Sequence, residues 1–130
     1  MSRADAPPPL ERTLEAVDLV AYAGATWDWH RMHYDVTFGK ERELPAPVVD
    51  GQMFGALIAA QVMGWAPPGS FLTELELRYT SMVFAGDTIR VDANIIGQDG
   101  SDVELAHEVV VGDRSVATGR TRVVLPPRST

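Results

Sequence analysis

The sequence predicts an α+β domain in which an antiparallel sheet wraps around one long apolar helix. Three observations lead to this fold class. Residues 52–65, QMFGALIAAQVMGW, are apolar on nearly every face, which is typical of a buried helix. From residue 71 onward, apolar and polar residues alternate with the period of two that strands have. Turn signals divide that half of the chain into four segments, as an antiparallel meander requires.

The N-terminal part of the chain is expected to hold short elements. Residues 1–9 contain three consecutive prolines and predict a disordered arm, ahead of a single domain over residues 10–126 and a C-terminal tail over 127–130. In chain order, the predicted elements are a first strand from Leu10 to Val17, a cap at Asp18, a short helix Leu19–Ala23 ended by Gly24, and a loop with one helical turn near His33.

The second part of the chain predicts the main helix and the sheet. Asp50 is the expected N-cap of the helix, and the sequence Pro67-Pro68-Gly69 ends it. The predicted strands are Phe71–Val83, Thr88–Ile96, Val103–Val111 and Ser115–Leu125, with turns at 85–87, 98–100 and 112–113. A helix that is apolar on all sides needs more cover than one half-polar sheet gives. We therefore expect either a strongly curved sheet or dimerisation.

Composition excludes several classes of function. The chain has 130 residues, 45% hydrophobic and 22% charged, as expected for one globular domain. It has no cysteine, which excludes disulfides and thiolate chemistry. Its net charge of −7 argues against a nucleic-acid partner, because phosphate binding needs a basic surface. No segment is long and apolar enough to span a membrane, and the first ten residues lack a signal-peptide core. We therefore expect a cytoplasmic protein.

Titratable side chains concentrate in one stretch, where Asp28, His30, His33 and Asp35 lie within eight residues. Asp28 and His33 are five residues apart, so a loop entering a helical turn could bring them together. A carboxylate and an imidazole on one water can remove a proton and return it elsewhere. The alternative interpretation is structural, with aspartates as caps and histidines as hydrogen-bond partners in a loop.

Other chemistries have weaker support. His33 and Asp35 form an H-x-D pattern that, with His107, outlines a two-His-one-carboxylate iron site. Such short matches are common by chance, and oxygenase barrels with this triad are usually larger. No serine lies in an activating pattern, and the chain has neither a P-loop nor a G-x-G-x-x-G motif.

Two further features of the same region could serve a ligand. Asp50-Gly51 precedes the long helix, where free backbone N–H groups and the helix dipole can stabilise a developing oxyanion, although an ordinary helix start explains the pattern as well. The aromatic residues of the region could line an acyl pocket or belong to the core. They are Trp27, Trp29, Tyr34, Phe38 and Phe54.

Two motifs in this region resemble those of the MaoC-like, (R)-specific enoyl-CoA hydratases. Residues 22–33, YAGATWDWHRMH, are similar to the hydratase motif G-D-x-N-P-x-H, with Asp28 on its aspartate and His33 on its histidine. The following PVVDGQMFGAL resembles the P-I-x-H-G segment, with Gly51 on the glycine. The resemblance covers roughly residues 13 to 125.

The resemblance implies a hotdog fold and the reversible addition of water to a trans-2-enoyl-CoA thioester, giving a (R)-3-hydroxyacyl thioester. It implies that Asp28 and His33 hold the water and that the Gly51 N–H stabilises the thioester oxygen. Trp27, Trp29, Tyr34 and Phe54 become candidate substrate-binding residues. It implies no metal and no cofactor, since coenzyme A enters with the acyl-CoA substrate. A homodimer or higher oligomer is expected, and a hetero-oligomer is the alternative.

The sequence departs from the family pattern in three ways. Trp27 replaces the glycine, and His30-Arg31 replaces N-P. Asp50 replaces the histidine, and a carboxylate there opposes a developing negative charge unless it turns back to cap its own helix. Two other functions therefore stay open, namely a hotdog acyl-CoA thioesterase and a non-catalytic subunit of a hetero-oligomeric hydratase.

Overall fold

A computed structural model describes residues 5–127 of the chain. The residues beyond these bounds include the start of the predicted arm and most of the predicted tail. The elements in chain order are β1 (Leu10–Thr13), α1 (Ala16–Thr26), a 3₁₀ turn (Arg31–His33), α2 (Val36–Glu41), α3 (Gln52–Trp65), β2 (Phe71–Tyr79), β3 (Thr88–Asp99), β4 (Asp102–Val111) and β5 (Arg114–Val124).

The strands form one antiparallel sheet in the order β1-β3-β4-β5-β2. β3, β4 and β5 are joined by tight turns, and Gly112 takes the positive φ that the last of these turns requires. β2 follows α3 and pairs with β5, which leaves β1 and β2 at the edges. The predicted α+β class, with one long helix against an antiparallel meander, is confirmed.

Helix α3 lies against the inner face of the sheet and buries one side. Its buried residues include Phe54 and Ile58, which share the core with sheet residues such as Val91, Leu105 and Val123. The opposite side, which carries Ala56, Ala60, Met63 and Gly64, is exposed in the single chain. The expectation of a helix buried all round is therefore wrong for one chain alone.

Residues 5–9 of the predicted disordered arm lie beside α3. The side-chain amide of Gln61 donates hydrogen bonds to the Pro8 carbonyl (3.0 Å) and the Val91 carbonyl (2.8 Å). The indole N–H of Trp65 donates to the Asp5 carbonyl at 3.1 Å. This part of the arm is thus held to the domain through the helix. Within residues 5–127, no helix is both long and apolar enough to cross a membrane.

The first helix differs from the predicted one at both ends. α1 begins at Ala16, because Glu15 and Asp18 form a reciprocal capping box in which the Glu15 N–H donates to Asp18 Oδ2 at 2.9 Å. Asp18 is therefore inside the first turn, and the first strand ends at Thr13. The helix also runs past Gly24 to Thr26, and its C-cap Trp27 adopts a left-handed φ of 59°.

Two other boundaries differ in the part of the chain around the candidate site. Helix α2 lies where a loop was expected, and Asp35 caps it by accepting the Phe38 N–H at 3.1 Å. β2 ends at Tyr79, four residues earlier than predicted, because the chain leaves the sheet to contact the segment before α3. There the Val49 N–H donates to the Val83 carbonyl at 2.7 Å.

Candidate active site

His33 is oriented by the segment that precedes α3. Its Nδ1 lies 2.7 Å from the Val48 carbonyl oxygen, which can only accept a hydrogen bond. Nδ1 therefore carries the proton, and Nε2 has a free lone pair. Nε2 lies 4.0 Å from Asp28 Oδ2, which is too long for a direct hydrogen bond and suits a bridging water.

Asp28 follows the left-handed residue that ends α1. Its N–H donates to the Ala23 carbonyl at 3.0 Å, and its Oδ1 accepts the His30 N–H at 3.4 Å. Hydrogen bonding with Asp50, and then with the His30 N–H, lowers the pKa of Asp28 below its usual value. Asp28 is therefore ionised and can accept a hydrogen bond from a water that lies between it and His33.

Asp50 is the third member of this cluster. One ligand atom from each of Asp28, His33 and Asp50 lies within 4.8 Å of the other two. The N-cap of α3 is Gly51 and not Asp50 as predicted, but Asp50 does turn back onto the helix start, where its Oδ1 accepts the Gln52 N–H at 3.0 Å. Its other oxygen, Oδ2, is buried and accepts no hydrogen bond from a donor among the described residues. Burial, followed by the contact with Asp28, raises the pKa of Asp50.

Gly51 lies beside this cluster and borders a cavity of about 290 Å³. Its N–H finds no acceptor in the described part of the chain, so it stays available to a ligand at the N-terminus of α3. A Cβ at this position would lie 2.7 Å from Tyr79 Cε1. Gly51 is therefore required for the close approach of Tyr79, although its own φ of −58° is ordinary.

The four predicted substrate-binding aromatics divide into two groups. Phe54 is 2% exposed and lines the cavity. Trp27, Trp29 and Tyr34 form a row of edge-to-face contacts at the surface, with ring centroids 6.0 and 6.1 Å apart, and Trp27 is 80% exposed. In the single chain these three do not line the cavity beside Gly51.

Sequence reasoning missed Tyr79 and Met82, which line the same cavity. Tyr79 lies on the apolar face of β2 and packs near Phe54, at 6.3 Å between ring centroids. The sequence placed it in an alternating strand and gave it no role in a site. The signal that could have identified it is the glycine at position 51, since a glycine at a helix start often indicates close approach by another group.

The structure does not support the iron-site hypothesis. The triad of His33, Asp35 and His107 is not brought together among the described residues, so that hypothesis is wrong. Asp35 binds Arg31 and caps α2, and His107 is buried in β4 with Nε2 2.7 Å from Thr121 Oγ1.

The fold and the cluster together define a hotdog domain with an acid–imidazole pair beside the N-terminus of its central helix. Residues 3–118 match the family described as MaoC like domain, and the chain belongs to this family. A search of curated proteins finds no match to this sequence.

Solved structures agree with this fold. The chain is similar to the (R)-hydratase from A. caviae involved in PHA biosynthesis, with a TM-score of 0.87 and 21% identity over 97% of this chain and 98% of that one. It is similar to R-hydratase PhaJ1 from Pseudomonas aeruginosa, with a TM-score of 0.90 and 21% identity over 98% and 84% of the two chains. It is also similar to a chain of the ChsH1-ChsH2 complex from Mycobacterium tuberculosis, with a TM-score of 0.88 and 17% identity over 95% and 97%.

Proposed function

We propose that the protein is a hydro-lyase that reversibly adds water to a trans-2-enoyl-CoA thioester, giving a (R)-3-hydroxyacyl-CoA. The observation that carries this proposal is the 4.0 Å gap between His33 Nε2 and Asp28 Oδ2, both of which accept hydrogen bonds. A water about 2.8 Å from each atom donates both of its protons and leaves its lone pairs free to attack. Membership of the MaoC-like family supports the same reaction.

The groups around the gap supply each step. His33 Nε2 takes one proton from the water, and the water oxygen forms the new bond to C3. The π electrons of the C2=C3 bond move toward the thioester carbonyl, whose oxygen accepts a hydrogen bond from the free Gly51 N–H. The proton held by the acid–imidazole pair then passes to C2, so the pair returns to its starting state. The acyl chain enters the cavity lined by Phe54 and Tyr79.

The proposed assembly is an oligomer of hotdog domains. In a single chain one side of α3 is exposed and the outer edge of its neighbour β2 is unpaired, and Phe71 of β2 is 71% exposed. An apolar helix face beside an open strand edge favours association. A homodimer is the simplest assembly, and a hetero-oligomer is the alternative because one similar structure comes from a complex of two different chains.

The test is the loss of enoyl-thioester absorbance when purified protein is added to crotonyl-, branched-chain and bulky enoyl-CoA substrates. Asp28→Asn and His33→Gln should each lower the rate by about a hundredfold or more, the usual size of a lost acid–base group. Asp99→Asn is the matched control, because Asp99 is an exposed carboxylate at the end of β3, and it should stay near wild type.

The same reactions should be monitored for free thiol. If thiol release is faster than hydration, the protein is a hotdog thioesterase and the proposed reaction is wrong. If wild type hydrates while the Asp28 and His33 variants hydrate equally fast, the proposed mechanism is wrong. If activity appears only when a second hotdog chain is added, the chain is one subunit of a hetero-oligomer.

A further inference from the structure

Asp50 has one oxygen atom that its contact with the helix start does not explain. Oδ1 accepts the Gln52 N–H at 3.0 Å, whereas Oδ2 is buried and meets no donor among the described residues. A buried carboxylate oxygen without a hydrogen bond is costly, because nothing replaces the water that it has lost. A protonated Oδ2 would itself be a donor and would need an acceptor.

The surroundings of Asp50 provide an acceptor and little positive charge. The titratable groups that act on it are Asp28 after α1, His33 in the 3₁₀ turn, Tyr22 in α1 and Tyr79 in β2. None of these four groups is a lysine or an arginine. Two carboxylates with oxygens within 4.8 Å, and only the imidazole of His33 among these groups to offset their charge, do not both ionise readily.

We infer that Asp28 and Asp50 share one proton, which resides on Asp50 Oδ2 and is donated to Asp28, so that Asp50 acts as a neutral positioning residue for the water-binding carboxylate. The inference rests on the proposed function for its role in hydration, and on the geometry of the pair for the proton itself. The family pattern has a histidine at this position, so the device would distinguish this chain from that pattern.

The direction of the proton follows from the two environments. Burial raises the pKa of Asp50, whereas the hydrogen bond with Asp50 lowers the pKa of the more exposed Asp28. Asp28 therefore keeps the negative charge and Asp50 keeps the proton. The pair then carries one charge instead of two, and the residue next to the Gly51 N–H is neutral. A neutral Asp50 removes the repulsion that a carboxylate would exert on a developing enolate.

A direct test needs no activity. In protein labelled with ¹³C at the aspartate carboxyl carbons, one aspartate should titrate well above the ordinary range. Its signal should disappear in Asp50→Asn and should titrate at lower pH in Asp28→Asn. If every aspartate of the wild type titrates in the ordinary range, the inference is wrong. The inference is also wrong if the titration changes after dialysis against a chelator and returns with Zn²⁺ or Mg²⁺, because a cation would then lie between the carboxylates.

A second test uses hydration. The asparagine in Asp50→Asn keeps an oxygen for the Gln52 N–H and an N–H for Asp28, so it should retain activity within about tenfold, whereas Asp50→Ala should lose about a hundredfold. The wild-type rate should fall at alkaline pH as the pair loses its shared proton, and Asp50→Asn should lack this decline. Equal losses in both variants, or an unchanged alkaline decline in Asp50→Asn, would contradict the inference.

The two tests separate this inference from the proposed function. A wild type that hydrates no enoyl-CoA, yet shows the raised aspartate titration, would refute the hydratase proposal and leave the shared proton in place. A wild type that hydrates, with two ordinary aspartates, would refute the shared proton and leave the hydratase proposal in place.

Discussion

His107 should make the protein sensitive to mild acid. The residue is 4% exposed, and burial lowers its pKa from 6.5 to about 4. The unfolded chain therefore binds a proton near pH 6.5, whereas the folded chain does not bind it until about pH 4. Between these values unfolding takes up a proton, so the free energy of unfolding must decrease as the pH decreases.

The size of this effect follows from the same two pKa values. Each pH unit below the unfolded pKa costs about 1.4 kcal/mol until the folded pKa is reached. The loss between pH 7 and pH 5 is then about 2 kcal/mol, and the limiting loss is about 3 kcal/mol. Such losses are a large fraction of the stability of a small domain, which is about 5–15 kcal/mol.

The assay is urea unfolding at a series of pH values and one fixed protein concentration, because an oligomer makes stability depend on concentration. His107→Gln is the comparison variant, since a glutamine can still donate to Thr121 Oγ1 but does not titrate. The difference between the two proteins cancels the carboxylates that they share. Parallel stability curves for wild type and variant between pH 7 and pH 4 would refute the reasoning.

Two further substitutions test the packing around α3. Gly51→Ala should cost about 1–3 kcal/mol of stability and displace Tyr79, because the new Cβ would lie 2.7 Å from that ring. Gly64→Ala, in the same helix, is the control: its new Cβ meets nothing within 4 Å and should cost no stability. Equal melting temperatures for the two variants would contradict the close contact. Gln61→Leu removes the hydrogen bonds to Pro8 and Val91 and should lower the free energy of unfolding by about 1–3 kcal/mol. Residues 5–9 should then be cleaved faster by a protease. Cleavage at the wild-type rate would show that those bonds do not hold the segment.

The sequence was sufficient for the parts of the fold that depend on local periodicity. Helix α3 has the predicted bounds, since an apolar run between Asp50 and two prolines allows few other starts and ends. The three C-terminal strands also lie where alternation placed them, with small shifts at their ends. In each case the signal lies within about a dozen residues, which is the range that periodicity can report.

The structure differs from the prediction where contacts outside the local pattern determine where an element begins or ends. The end of β2 at Tyr79 reflects a contact outside the sheet, in which the Val83 carbonyl accepts a hydrogen bond from the Val49 N–H. The start of α1 depends on which of Glu15 and Asp18 takes the N-cap position, and the structure places Glu15 there with Asp18 as the third residue of the helix. The exposure of one side of α3 depends on how far a single sheet can reach around a helix.

The candidate site shows the same division. Asp28, His33 and Gly51 were identified by motif, and the structure brings Asp28 and His33 to within a water of each other. The approach of Asp50 to Asp28 joins residues 22 positions apart and could not be read from spacing. Tyr79 belongs to a strand that returns past the helix start, so only the three-dimensional fold places it beside Gly51.

The segment from Val48 to Asp50 sets limits on how this site can vary during evolution. Val48 donates its N–H to the Met32 carbonyl at 2.8 Å and accepts from His33, and Val49 donates to Val83. Residues 48 and 49 make these contacts with main-chain atoms alone, so both positions can exchange among apolar residues, although proline is excluded at both. Selection on ligand shape can therefore act on cavity residues such as Met82 without disturbing the orientation of the imidazole.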